Sequence, residues 1–583
     1  MVSSKSILVN FGLIASALAQ SCWRNATCTH PTEASFPGPW DENIYAPDSR
    51  TARPKSVLSL STGEPLAPFP SLSPNPQVLK GNGSALVFDF GVLVGGITTV
   101  NYTLTSGSAT LGLAWTEAKN WIGEHSDNSN GNYRGPGQAL ISDDGALFHD
   151  ITAPGEGFYT VPFAQLRGGF RYLTLYIITN STTANTTLSI DDVSLEIVFQ
   201  PTWSNLRAYQ GYFHSSDDLL NKIWYSGAYT LQTNAAPPET GRVLTEDVWD
   251  GGWFNNAWLG IIPDTGILNA TATGDWARYI NSMNGSAPNM LLYRTLTTGA
   301  FLADLAPAGT SNSTAGTNLT ETWLSRAETL KAAIKTHLWD GAKGAFIDGY
   351  RNRTLYPQDS NSYAIAFGVV DPASAEAASI SRMLTENWTP IGPASPELPG
   401  NISPFISSIE LEAHFVAGRA DRALQLIRDS WGWYLNHPNG TGSTVIEGYL
   451  VDGTFGYRST RGYTNDPSYV SHAHGWSSGP TSTLTEYLVG LRVTRPAGAG
   501  WSLKPVFGEV PEAQAGFTTA LGRFSAKWKV ERGVATVEWD VPEGTRGRVE
   551  LGGEEGRWVD GGKGTASVKV KVTCGSRPKT RES

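Results

Sequence analysis

Cysteine is scarce. Cys22, Cys28 and Cys574 are the only three in 583 residues. No cysteine-based metal site can be built from them, and none lies in a nucleophile motif. Cys22 and Cys28 are close enough for a small-loop disulfide, which leaves Cys574 odd. Charge is scarce too. Only 16 % of residues are Asp, Glu, Lys or Arg, the formal net charge is -10, and no basic run or stripe occurs. That argues against a nucleic-acid partner and against a polybasic membrane contact. After the N-terminus, no stretch approaches the roughly 18 unbroken apolar residues of a membrane span. No Asp/Asn loop has the calcium spacing, so no metal and no cofactor are expected.

What is plentiful points to sugar chemistry. The chain holds 20 Trp, 21 Tyr and 63 Gly, with much Ser, Thr and Asn. A low-charge, aromatic-rich surface of this kind fits a secreted, extracellular protein that handles carbohydrate. At the N-terminus Lys5 precedes a mostly apolar run over 7–18, and Ala17-Leu18-Ala19 is a small-x-small cleavage signal. Residues 1–19 therefore read as a signal peptide. Thirteen N-x-S/T sequons, from Asn25 to Asn439, then imply N-linked glycans.

A chain of this length exceeds one compact core, so several domains are expected. Residues 20–80 are rich in Pro, Ser and Thr and read as an extended leader. Over 81–205 short β-branched or alternating segments, separated by Gly, Asn and Ser, predict an antiparallel β-sandwich. Near Ser215 the period switches. Asp217 and Asp218 open an apolar run through Leu219, Leu220, Ile223, Trp224 and Tyr229 at helical spacing. Further helices are expected over 276–281, 290–305, 319–338, 360–369, 372–387, 407–418, 420–435 and 481–491. Long loops between them suggest that 206–493 is a helical toroid rather than a bundle with short turns. Strands return over 494–575 as a second β-sandwich, and 576–583 read as a disordered tail.

The richest stretch is 431–480. It holds five Tyr, three Trp and three His but a single glutamate, Glu447. Aromatic faces stack on sugar C–H surfaces, glycines let backbone come close, and a few polar groups read hydroxyls. This is the composition of a concave site for a polar, ring-shaped ligand.

The segments GYFHSSDDLLNKIWYSGAYTLQTNAAPPETGRV, DWAR, NMLLYRTLTTGA, ETLKAAIKTHLWD, YPQDSNSYAIAFGVV, ENWTPIGPASPELPGNISPFISSIELEAHF and the whole of 431–480 resemble fungal α-L-rhamnosidase-like proteins of glycoside hydrolase family 78. Those are six-hairpin glycosidases. The resemblance implies an (α/α)6-toroid flanked by β-sandwiches, and inverting hydrolysis of terminal α-L-rhamnosyl residues from plant glycosides or polysaccharides. One carboxylic acid protonates the leaving oxygen and a second carboxylate activates a water on the opposite face, about 6.5–9.5 Å away. Glu447 in STVIEGY matches the family base; otherwise it is a rim glutamate, or one paired with Arg458. His474 in SHAHGWSSGP matches a sugar-contacting histidine, or it hydrogen-bonds to fix the loop. Asp275 and Trp276 in GDWAR resemble an Asp-Trp pair at the pocket, with an N-cap as the alternative role of Asp275. Tyr293, Tyr363, Trp431, Trp433 and Trp476 are candidate walls, each as readily core as site.

One departure is large. Family members follow the PPETGR and GW-NN segments with a run like K-R-D-R-x-x-W-x-G-D, which supplies the general acid. Here Gly252-Trp253-Phe254-Asn255-Asn256-Ala257 is followed within a few residues by Thr265-Gly266-Ile267-Leu268. The toroid is therefore expected to be incomplete near 260, with no identifiable general acid. Glu246, Asp247 and Asp250 are the nearest acids and do not match the motif. The alternatives to an active rhamnosidase are a catalytically impaired carbohydrate-binding relative, or a member acting on another small molecule.

Overall fold

The structure is a computed structural model. It describes residues 31–69, 77–127, 145–179, 186–199, 203–235, 261–270, 276, 278, 284–305, 318–350, 352–458 and 466–570.

The N-terminal sheet is built around one long strand, Ala85–Leu104. The sequence suggests two strands here, over 86–90 and 97–102, because Gly91, Gly95 and Gly96 read as breaks. The chain instead runs on through register shifts between Asp89 and Gly96. Gly96 lies so close to its neighbour that a Cβ would sit 2.0 Å from the Glu196 carbonyl oxygen. That approach requires glycine. Ala85–Leu104 pairs antiparallel with Arg167–Ile178, Thr187–Ile197, Gly155–Thr160 and Ser56–Ser59. Ala109–Thr116 pairs on the far side of Arg167–Ile178 and holds Leu147–Ile151 at the edge.

The leader expected over 20–80 is corrected in part. Within it, Thr51–Ala52, Ser56–Ser59, Pro65–Pro68 and Gln77–Lys80 are strands of this same sheet. Each is two to four residues long, too short for a periodic signal, and the prolines mask them.

The middle of the chain is helical. Helix α1, Asp218–Thr233, starts where the sequence places it: the Asp217 carboxylate accepts the N–H groups of Leu219 and Leu220 at 3.0 and 3.2 Å. Helices α2 (Ser286–Leu305) and α3 (Leu319–Leu338) pack side by side. Helix α4 spans Gln358–Ala366, α5 Ala375–Leu384 and α6 Pro404–Val416. Helix α7, Ala420–Leu426, continues through a π-helical turn, Ile427–Trp431, into Gly432–Leu435. Helix α8, Gly479–Thr483, likewise passes into a π-helical stretch, Leu484–Val489. Of the helix expected over 276–281 only Trp276 and Arg278 are described.

Helix α4 begins two residues before the expected start, for a reason no local reading could find. Its N-cap is Pro357, whose side chain cannot accept a hydrogen bond. The carboxyl of Glu397 does so instead, taking the N–H groups of Gln358 and Asp359 at 2.9 and 2.8 Å.

The C-terminal sheet has seven strands. Glu512–Thr519, Gly522–Glu531, Val534–Val549 and Arg557–Lys569 pair in sequence, and Gly500–Leu503 lies parallel to Val534–Val549. Its edge strand, Gly211–Ser215, comes from just before α1. The helical region is thus tied at both ends to one sheet. A continuous apolar core runs from Val57 and Phe88 through Leu220, Tyr229, Leu424 and Leu488 to Trp501 and Trp528. A second core fills α2 to α6, and a small third one lies under 431–480.

Candidate active site

Two loop segments clasp each other to build the site. Glu447 N–H donates to the Ser471 carbonyl at 2.8 Å and His474 N–H to the Val445 carbonyl at 2.9 Å. The Thr444 hydroxyl donates to the His472 carbonyl at 2.7 Å. Val445 N–H donates to the Thr230 hydroxyl oxygen of α1 at 2.9 Å, anchoring the pair to the helical region. Backbone groups satisfied this way can be buried in a loop without cost.

Glu447 is only 3 % exposed, so it is not a rim residue. Its Oε2 accepts the Ser471 N–H at 3.3 Å, and the Trp476 indole donates to its carbonyl at 3.4 Å. The adjacent Ile446 packs in a small core with Tyr449, Phe455, Tyr457 and Val470. The Trp476 ring stacks on Phe405 at 5.0 Å, and Phe405 tilts against Trp276 at 6.4 Å. His474 sits 4.4 Å from the Trp476 ring. Glu447, His474, Trp476 and Trp276 are therefore one neighbourhood, joined by Phe405. Burial lowers the His474 pKa to about 4, so its imidazole is neutral at ordinary pH and can hydrogen-bond a hydroxyl. Burial lowers His472 further, to about 3.

A second carboxyl reaches this loop from the N-terminal sheet. Glu117, one residue past Ala109–Thr116, accepts the His472 N–H at 3.0 Å. Burial first, and the nearby Glu447 charge next to it, raise its pKa to about 8; the His472 N–H pulls the other way.

Behind Trp276 lies a buried ionic cluster. The Trp276 indole donates to Asp359 Oδ2 at 3.3 Å. Arg278 pairs with Asp348 at 2.5 Å and with Asp359 at 2.8 Å, all three at most 3 % exposed. Burial, reinforced by Asp359, raises the Glu397 pKa to about 8. From Gln358 the network continues through Glu410 to Trp388 and His414. Through Asp359 this network holds the Trp276 ring.

The other expected wall residues have different places. Tyr363 is a core residue, 2 % exposed and stacked on Phe367 at 4.8 Å. Tyr293 is in the same core, its hydroxyl donating to the Gly368 carbonyl at 3.4 Å. Trp431 is buried, and its indole donates to the Ser477 carbonyl at 2.7 Å. Trp433 packs on Tyr449 at 4.4 Å. Asp275, Glu246, Asp247, Asp250 and the three cysteines lie outside the described residues. Glu117, Asp359, Glu397 and Phe405 escape a sequence reading, because nothing local ties residues 117, 359 and 397 to the 431–480 stretch. Arg278, Asp359, Glu397 and Phe405 do lie in the segments that carry the family resemblance, but nothing in those segments singles them out.

Among the described residues, no group of three or more His, Cys, Asp or Glu side chains could hold a metal ion. No helix among them is long and apolar enough to cross a membrane. A cavity of about 350 Å³ lies on the C-terminal sheet, lined by His214, Gln514, Lys527, Thr536 and Glu538 among others. None of its lining residues belongs to the Glu447 group.

The fold is similar to that of solved rhamnosidases. The rhamnosidase of Bacillus sp. GL1, of glycoside hydrolase family 78, matches with TM-score 0.60 and 19 % identity over 84 % of this chain and 56 % of its own. The α-L-rhamnosidase of Aspergillus terreus matches with TM-score 0.54 and 16 % identity over 85 % and 64 %. The Klebsiella oxytoca rhamnosidase, solved with rhamnose bound, matches with TM-score 0.55 and 16 % identity over 76 % and 97 %. The chain thus spans little more than half the length of the Bacillus protein. Residues 490–566 match the family described as the bacterial α-L-rhamnosidase C-terminal domain. No curated protein matches the chain in sequence. The chain thus has the fold of solved rhamnosidases, and its residues 490–566 match the rhamnosidase C-terminal domain.

Proposed function

We propose that the protein is a secreted glycoside hydrolase that removes terminal α-L-rhamnosyl residues from plant glycosides or polysaccharides with inversion. The observation that carries this reading is Glu447. It is buried in a loop beside His474, Trp476 and Trp276, within the fold of α-L-rhamnosidases. In this reading the Glu447 carboxylate takes a proton from a water that attacks the anomeric carbon. The glycosidic C–O bond breaks as an acid protonates the leaving oxygen on the other side. His474 and Trp276 hold the sugar, and Asp275, which precedes Trp276 in sequence, is read as a further hydroxyl contact. The helical region is read as an (α/α)6-toroid lacking a block near 260, between two β-sandwiches. Secretion and N-linked glycans complete the proposal, on the strength of the signal-peptide pattern over 1–19 and the sequons.

A second reading is favoured by the sequence between Asn256 and Thr265, where the acid motif of the resembling proteins has no counterpart. In that reading the chain binds rhamnosyl groups without turnover. One experiment separates the two: hydrolysis of an aryl α-L-rhamnoside by this chain, with the first-formed anomer followed by NMR. Release of the inverted anomer supports the enzyme. Binding of L-rhamnose without product supports the second reading.

A further inference from the structure

We propose that Glu117, brought from the N-terminal sheet, is a positioning residue for Glu447. The inference rests on the reading of Glu447 as the water-activating base. Successive peptide N–H groups of one loop serve two carboxyls from distant parts of the chain. Ser471 N–H donates to Glu447 at 3.3 Å, and His472 N–H donates to Glu117 at 3.0 Å. Glu117 is itself held in place. Its own N–H donates to Asp127 Oδ2 at 2.7 Å, and Thr116 and Ala118 on either side are buried. Two residues on, Lys119 N–H donates to the Asn439 carbonyl at 3.0 Å. Arg171 of the same sheet, paired with Asp89, donates to the Thr441 carbonyl at 2.9 Å. The N-terminal sheet therefore grips the site loop on both sides of Glu447.

The titratable groups around Glu117 are Glu447, His472, Tyr434 and Asp127, whose carboxylate accepts the Glu117 N–H. His472 and Tyr434 are hydrogen-bonded to each other at 2.8 Å, and burial keeps both neutral. Two carboxyls that feel each other do not both ionise cheaply. Burial chiefly, and the nearby Glu447, raise Glu117 to about 8. Glu117 thus fixes the peptide next to the one that holds Glu447.

Glu117→Gln keeps an acceptor oxygen but cannot ionise, whereas Glu117→Ala removes the acceptor. With an aryl α-L-rhamnoside, Glu117→Ala should lower kcat by about tenfold or more with less change in KM, and Glu117→Gln should restore part of that loss. Thermal stability gives a readout independent of turnover. A carboxyl raised from 4.5 to about 8 loses its contribution as pH rises across that window. The Tm of Glu117→Gln should therefore gain on wild type from pH 4.5 to 8, and the gain should shrink in a Glu447→Gln background. If wild type does not turn over but this coupling is present, the catalytic reading fails and the Glu117–Glu447 link stands. The proposal is overturned if the gain in Tm is absent or is the same in both backgrounds. It is also overturned if folded Glu117→Ala keeps wild-type kcat in an active enzyme.

Discussion

At the scale of single residues, the loop around Glu447 sets charge states by burial. His474 and His472 are held neutral by it, and Glu447 receives the Ser471 N–H. In an active enzyme Glu447→Gln should lower kcat by about 10²- to 10⁴-fold, since it removes the proton acceptor. Steady-state kinetics on an aryl α-L-rhamnoside measures this. His474→Ala should act differently. It removes one hydrogen-bonding contact to substrate, worth about 0.5–1.5 kcal/mol, so KM should rise by up to about tenfold. A loss confined to kcat would instead give His474 a role in the chemical step.

At the scale of elements, two joints decide the site. The first is the end of the π-helical stretch after α8, where Gly490 turns the chain into the strand Leu491–Val493 with φ 88°. A Cβ there would meet the Lys504 carbonyl carbon and Pro505 nitrogen at 2.3 Å. Gly490→Ala should cost at least about 1–3 kcal/mol, from backbone strain and the clash. Urea denaturation, read as a lowered midpoint, tests it. The second joint is Arg278, whose guanidinium holds Asp348 and Asp359 and through them the start of α4 and the Trp276 ring. Arg278→Met leaves two carboxylates buried without their cation. The expected loss is about 3–5 kcal/mol, seen as a large drop in Tm.

At the scale of the whole molecule, the buried titratable groups set a pH range for stability. Glu117 and Glu397 have folded pKa values near 8 against 4.5 for the ordinary carboxyl. Their contribution is lost as pH rises from 4.5 to 8. His472 and His474 have folded values near 3 and 4 against 6.5. Their contribution is lost as pH falls below 6.5. Between 4.5 and 6.5 the two trends oppose each other, so Tm against pH should show a plateau there and decline on both sides. A Tm that climbs steadily to pH 8 would contradict this balance.

Much of this molecule was legible in the sequence because it depends on neighbours along the chain. The Asp217 cap, the extent of α3 and the aromatic richness of 431–480 are local facts, set by side-chain periodicity and short-range hydrogen bonds. Glu447 stood out as the one glutamate of that stretch. Three things depended on the tertiary structure. Short strands before residue 81 are held by pairing to Ala85–Leu104 and Thr187–Ile197, not by their own propensity. Tyr363 became core because its helix packs against α2. Glu117 and Glu447 met because two segments more than 300 residues apart share one peptide loop. Composition and periodicity specify what each segment can bury, but only closure of the fold decides which buried carboxyls share a loop.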